Sequence, residues 1–94
     1  LATDLALTEE WLWRVARMVD AGAADFGVEA SMLKMRASDV AMRMATEGVQ
    51  LHGGYGYIQD FRAERLMRDA KITQIWEGTN QIHRQFIGRH FIER

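Results

Sequence analysis

No proline interrupts this chain, and its β-branched residues never gather into a long run. A backbone free of both defaults to helix, and the breaks then fall where glycine allows them. Three such breaks are visible: Ala21-Gly22-Ala23-Ala24, Gly53-Gly54-Tyr55-Gly56 and Glu77-Gly78. They divide the 94 residues into four stretches, each with apolar residues at helical spacing.

Leu7-Thr8-Glu9-Glu10 reads as the opening of the first helix, with Thr8 as N-cap and two carboxylates in the electropositive first turn. Trp11, Leu12, Val15, Ala16, Met18 and Val19 follow. Trp11 and Trp13 point to different sides, one to the core and one to an interface. A second helix starts at Asp25 or a near neighbour and runs to about Val49, with Val28, Met32, Met35, Val40 and Met44 on its buried side. Ala30, Ala37, Ala41 and Ala45 let another helix approach it closely. A shorter helix begins at Phe61 or Ala63 and ends at Ile72 or Ile75; Glu64, Arg65, Arg68, Asp69 and Lys71 alternate in sign along it and can pair. Thr79 caps a last helix that turns Ile82, Phe86, Ile87 and Phe91 inward. The fold class expected is all-α: an antiparallel helical bundle or hairpin of about four helices forming one small domain over residues 1–94.

Composition excludes several functions. Cysteine is absent, which removes disulfides, thiolate metal sites and a cysteine nucleophile. Twelve basic residues against thirteen acidic ones leave no electrostatic footprint for nucleic acid or an anionic membrane. No apolar run approaches the ~20 residues of a membrane span. His52, His83 and His90 have no metal-ligand spacing, and no metal site is expected; each reads as a packed or solvated residue.

The chemistry concentrates in Gln74-Ile75-Trp76-Glu77-Gly78-Thr79-Asn80-Gln81-Ile82-His83. A carboxylate at a helix-to-helix break is held by rigid elements on both sides, and the glycine beside it admits another group closely. On spacing alone Glu77 reads first as a solvated residue near a helix end, and Thr79, Asn80 and Gln81 as a cap and an exposed first turn. The turn at Gln50, Leu51, His52, Gly53 and Gly54 is neither a P-loop nor a dinucleotide fingerprint: no lysine-serine or lysine-threonine pair follows it and no strand precedes it.

Taken together, Gln50-Leu51-His52-Gly53-Gly54-Tyr55-Gly56-Tyr57, Arg65-Leu66-Met67-Arg68-Asp69-Ala70-Lys71-Ile72 and Trp76-Glu77-Gly78-Thr79 resemble, in order and spacing, the C-terminal helical domain of the acyl-CoA dehydrogenase family. The likeness is close from about Val49 onward and looser before it. Members of that family are much longer chains, with an N-terminal helical domain and a middle β-domain. The resemblance therefore implies a partial C-terminal domain, lacking its first helix. It further implies that Glu77 is the base that takes the α-proton of a bound acyl thioester, with Gly78 and Trp76 against the substrate. FAD is implied as cofactor, touched by Gln50, Leu51, His52, Gly53 and Gly54 at one segment and by Thr79, Asn80 and Gln81 at the other. Where the family commonly has tyrosine, this chain has Trp76. The partners implied are an acyl-CoA substrate, an electron-transfer flavoprotein or another acceptor, and further copies of the chain in a dimer or tetramer. The location implied is the bacterial cytoplasm, ahead of the mitochondrial matrix. Acyl-CoA oxidases share the base. Helical relatives that only mediate interactions or bind DNA form a separate alternative, against which the near-neutral charge and the retained Glu77 both weigh.

Overall fold

The computed structural model describes residues 1–93. Five helices follow one another: α1 (Ala2–Asp20), α2 (Gly27–His52), α3 (Gly54–Tyr57), α4 (Ala63–Thr73) and α5 (Asn80–Glu93). No strand occurs among the described residues, and none of their helices is long and apolar enough to cross a membrane.

The 26-residue α2 is the spine, and every other helix packs on it. At ~1.5 Å per residue such a helix is about 40 Å long, which sets the 48 Å long axis of the molecule. Cross-contacts give the directions. Asp4 at the start of α1 meets Arg36 and Arg43, whereas the Trp11 indole N–H donates to the Glu29 carbonyl at 3.0 Å, so α1 runs antiparallel to α2. On the other flank Gln74 reaches Asp39, Asn80 reaches Met35 and Ser38, and the Phe86 ring lies beside Gly27. α4 and α5 therefore lie end to end along α2, both antiparallel to it, and the break at residues 74–79 falls opposite the middle of α2.

The core is correspondingly thin. Among the described residues only Val15, Val28 and Val40 are buried hydrophobics, joined by buried Ser31, Ser38 and Asn80. The turn after α2 is tight: Gly53 has φ 64°, and a Cβ on Gly56 would come 2.5 Å from the Val49 carbonyl oxygen, so only glycine permits this corner.

Three sequence expectations are corrected. The first helix begins at Ala2 rather than after Thr8; nothing in the Leu- and Ala-rich lead interrupts it, and the Thr8 hydroxyl donates back to the Asp4 carbonyl within the helix. The Gly53-Gly54 turn is followed at once by one further helical turn, α3, which raises the count to five. Ile82, Phe86 and Phe91 are each about half exposed rather than inward, because α5 meets α2 alone among the described residues and buries a single narrow stripe. The two tryptophans face different ways: Trp11 is half-buried against α2 with Arg14 stacked over its ring, and Trp13 is exposed.

Candidate functional site

The break between α4 and α5 is built by two consecutive left-handed residues. Trp76 N–H still bonds the Ile72 carbonyl, completing the last turn. Glu77 then takes φ 54° and Gly78 φ 84°, and the chain re-enters helix at Asn80, whose N–H donates to the Gln74 carbonyl at 3.1 Å. Glu77 is the one described residue other than glycine with positive φ. A left-handed conformation costs an L-residue roughly 1–2 kcal/mol, so the surroundings must hold it.

They do so with an interlocked polar cluster on α2. The Asn80 amide, 3 % exposed, donates to Ser38 Oγ at 2.8 Å, Asp39 Oδ1 at 2.7 Å and the Met35 carbonyl at 3.3 Å. Its carbonyl oxygen accepts from Lys34 Nζ at 2.7 Å, and the same ammonium donates to the Gly78 carbonyl at 2.7 Å. Asp39 also receives Gln74 at 2.9 Å and Arg84 at 2.7 Å. Partial burial pushes the Lys34 ammonium below the usual lysine range, and the Asp39 charge opposes that shift. From α5, His83 Nε2 lies 3.0 Å from the Glu77 carbonyl oxygen, with its ring against Gly78. Thr79 Oγ1 accepts the Ile82 N–H at 3.3 Å, the N-cap expected of it.

The Glu77 side chain is exposed and lines a groove of about 350 Å³ together with Lys34, Ala37, Ser38, Ala41, Thr73 and Trp76. The alanines and the indole give it an apolar floor and one aromatic wall. Glu77, Trp76 and Gly78 thus sit together, and Thr79, Asn80 and Gln81 follow on the same loop. Of these three, Asn80 is buried, Thr79 is half-buried with its hydroxyl on the cap, and Gln81 is exposed. Gln50, Leu51, His52, Gly53 and Gly54 form a separate exposed edge where α2 turns into α3. His52 Nδ1 lies 2.6 Å from the Gly48 carbonyl, a local contact at the end of its own helix.

Sequence reasoning missed Lys34, Asp39 and the loop contact of His83. Lys34 and Asp39 read as charges on a helix flank, and only the fold reveals that they lie under a loop forty residues downstream. The charged residues of α4 pair within their own helix, Arg68 with Glu64 at 2.7 Å and Arg65 with Asp69 at 3.8 Å. No group of three or more metal-ligating side chains is present among the described residues.

A helix-to-helix break carrying a carboxylate beside a groove is not diagnostic by itself. The comparison with known proteins decides the lineage: residues 1–92 match the model of the acyl-CoA dehydrogenase C-terminal domain. The chain belongs to the acyl-CoA dehydrogenase family. Its relatives include the cyclohexane-1-carbonyl-CoA dehydrogenase of Geobacter metallireducens, 45 % identical over 98 % of this chain and 24 % of that protein. Acryloyl-CoA reductase (NADH) of Anaerotignum propionicum is 42 % identical over 100 % of this chain and 24 % of its own. Among solved structures, butyryl-CoA dehydrogenase of Megasphaera elsdenii superposes with TM-score 0.90 at 41 % identity, covering 97 % of this chain and 24 % of that one. A chain solved in work on the electron transferring flavoprotein of Acidaminococcus fermentans reaches TM-score 0.91 at 43 % identity, over 99 % and 24 %. The all-α fold is that of the matched segment of these relatives, and the chain spans about a quarter of their length.

Proposed function

We propose that this chain works as part of a longer flavin-dependent acyl-CoA dehydrogenase, in which Glu77 removes the α-proton of an acyl-CoA thioester. The observation that carries the proposal is the placement of Glu77. A costly left-handed backbone, held from two other helices, presents its carboxylate to an apolar groove walled by Trp76. Evolution keeps such strain where geometry matters more than local stability.

The chemistry needs what this arrangement offers. An α-proton is removed only by a base set within hydrogen-bond reach of it, on a rigid support. The Trp76 indole and the Ala37–Ala41 face suit an acyl chain. Gly78, without a side chain, lets the thioester lie close to the backbone of the loop. Negative charge then builds on the thioester oxygen, where oriented N–H donors stabilise it. The same carboxyl, once protonated, returns the proton to Cα in the reverse direction, which accommodates the reductase among the relatives. Among acyl thioesters, the groove sets no chain length.

FAD, when bound, supplies the acceptor for the hydride that leaves Cβ. The residues at hand fit such a cofactor as one edge of its site. Gln50, Leu51, His52, Gly53 and Gly54 are all exposed, and no neighbouring atom lies within 4 Å of the space beside Gly54. Gln81 is open at the start of α5. Thr79 and Asn80 act from beneath, capping α5 and pinning it to α2. An electron-transfer flavoprotein or another acceptor to reoxidise the flavin, a homo-oligomeric assembly and a bacterial cytoplasmic location complete the reading.

The test is anaerobic. The full-length protein mixed with a short acyl-CoA is expected to lose its flavin absorbance, and the Glu77→Gln protein to retain it with flavin still bound. Bleaching at the same rate in both would place the base elsewhere.

A further inference from the structure

We infer that Lys34 and His83 form a clasp that fixes the left-handed Glu77-Gly78 unit, and that they are positioning residues for the base. The inference rests on the reading of Glu77 above. It assigns to two side chains, one on α2 and one on α5, the task of aiming the carboxylate.

The geometry is specific. Two successive peptide carbonyls of the loop are each met by a side chain from a different helix. Lys34 comes from α2 and donates to the Gly78 carbonyl at 2.7 Å; His83 comes from α5 and meets the Glu77 carbonyl at 3.0 Å. As a carbonyl oxygen only accepts, His83 Nε2 must carry the proton in this contact. A peptide carbonyl fixed on either side of Cα(78) fixes the plane of the peptide between Glu77 and Gly78, and with it the direction in which the Glu77 side chain leaves the loop. The two contacts differ in support. Lys34 is braced by Asn80 Oδ1 at 2.7 Å, and Asn80 is locked to Ser38 and Asp39. Lys34 also lines the groove that Glu77 faces, so its aliphatic stem is part of the surface on which substrate would lie. His83 stands one turn into α5 and closes the loop from the far side, where a Cβ on Gly78 would meet its Nε2 at 3.1 Å.

Neither residue touches the reacting atoms in this account; both act through the backbone of Glu77. A displacement of about 1 Å at a base costs on the order of 10²-fold in rate. Loss of the clasp should therefore fall on proton abstraction and leave the binding of substrate largely intact.

The experiment uses the full-length flavoprotein and butyryl-CoA, with five proteins: wild type, Lys34→Met, Lys34→Arg, His83→Ala and Glu77→Gln. Methionine keeps the stem of Lys34 and removes its donors; arginine restores donors on a similar stem. Stopped-flow bleaching under anaerobic conditions gives the rate at saturation and the half-saturating concentration separately. α,α-Dideuterated butyryl-CoA gives the isotope effect. The clasp predicts that Lys34→Met lowers the saturating rate by about 10²-fold, with half-saturation changed less than threefold and a larger α-deuterium isotope effect, and that Lys34→Arg recovers at least a tenth of the wild-type rate. His83→Ala, at a half-buried position near the start of α5, should fold and show a smaller loss of the same kind. A mere loss of folding stability would reduce the amount of active protein without raising the isotope effect. If both Lys34→Met and His83→Ala bleach within twofold of wild type, the clasp is wrong. Should Lys34→Met fail to fold, His83→Ala alone decides, and a wild-type rate and isotope effect there overturn the inference. If Glu77→Gln itself bleaches normally, the reading of the base fails instead, and the two failures are distinguished.

Discussion

At the scale of single residues, the loop at 77 and 78 concentrates most of the structural cost. Gly78 combines φ 84° with a His83 ring too close to admit a Cβ comfortably. Gly78→Ala is expected to destabilise by roughly 1–2 kcal/mol from the backbone conformation alone, read as a lower thermal midpoint and faster amide exchange at residues 76–80. An unchanged midpoint and exchange pattern would mean the loop relaxes freely. Sequence made part of this loop legible. The Glu-Gly pair marked the break, Thr79 marked the cap, and the motif around Glu77 marked the family. What stayed hidden was long-range: Asn80 reads as a first-turn residue with an exposed amide, yet its side chain is nearly buried on α2. No local pattern shows that a downstream amide will find a serine and an aspartate forty residues earlier.

At the scale of elements, α4 is held to α2 on one side and stabilised on the other by its own charge pattern. Glu64 accepts from Arg68 Nε at 2.7 Å, and that hydrogen bond is the largest influence holding its carboxyl below the ordinary value of 4.5; the Arg68 and Arg65 charges act in the same direction and partial desolvation opposes them. A carboxyl depressed in the folded state contributes stability that is fully present above its unfolded value and lost as pH falls through the folded one. The stability difference between wild type and Glu64→Gln should thus be constant above about pH 5.5 and shrink as pH drops through and below 4.5, as read in urea melts at stepped pH. A difference that persists unchanged at pH 3 would assign Glu64 another role. The alternating charges of α4 announced this pairing in the sequence. The inward face expected for α5 did not survive, because amphipathic spacing tells which face a helix could bury and not how many neighbours are there to bury it.

At the scale of the whole molecule, the balance between core and surface is unusual. Among the described residues only three hydrophobic side chains are buried, and Leu51, Tyr57, Ile92, Leu7 and Trp13 are each more than half exposed. A second apolar groove of about 310 Å³ runs between α1 and α2, lined by Leu7, Trp11, Met32, Leu33 and Met35. Surfaces of this kind favour association. The chain on its own is expected to sediment above its 10.8 kDa monomer mass at high micromolar concentration, and a strictly monomeric boundary would contradict that.

The most direct test of the central claim follows a single proton. Full-length protein is incubated anaerobically in D₂O with butyryl-CoA, and loss of the α-proton signal is followed by NMR. Wild type should exchange deuterium into Cα; Glu77→Gln should exchange at least ~10²-fold more slowly, and Glu77→Asp should fall between them, its carboxylate set back by about one methylene. Exchange by Glu77→Gln at the wild-type rate would show that Glu77 is not the base.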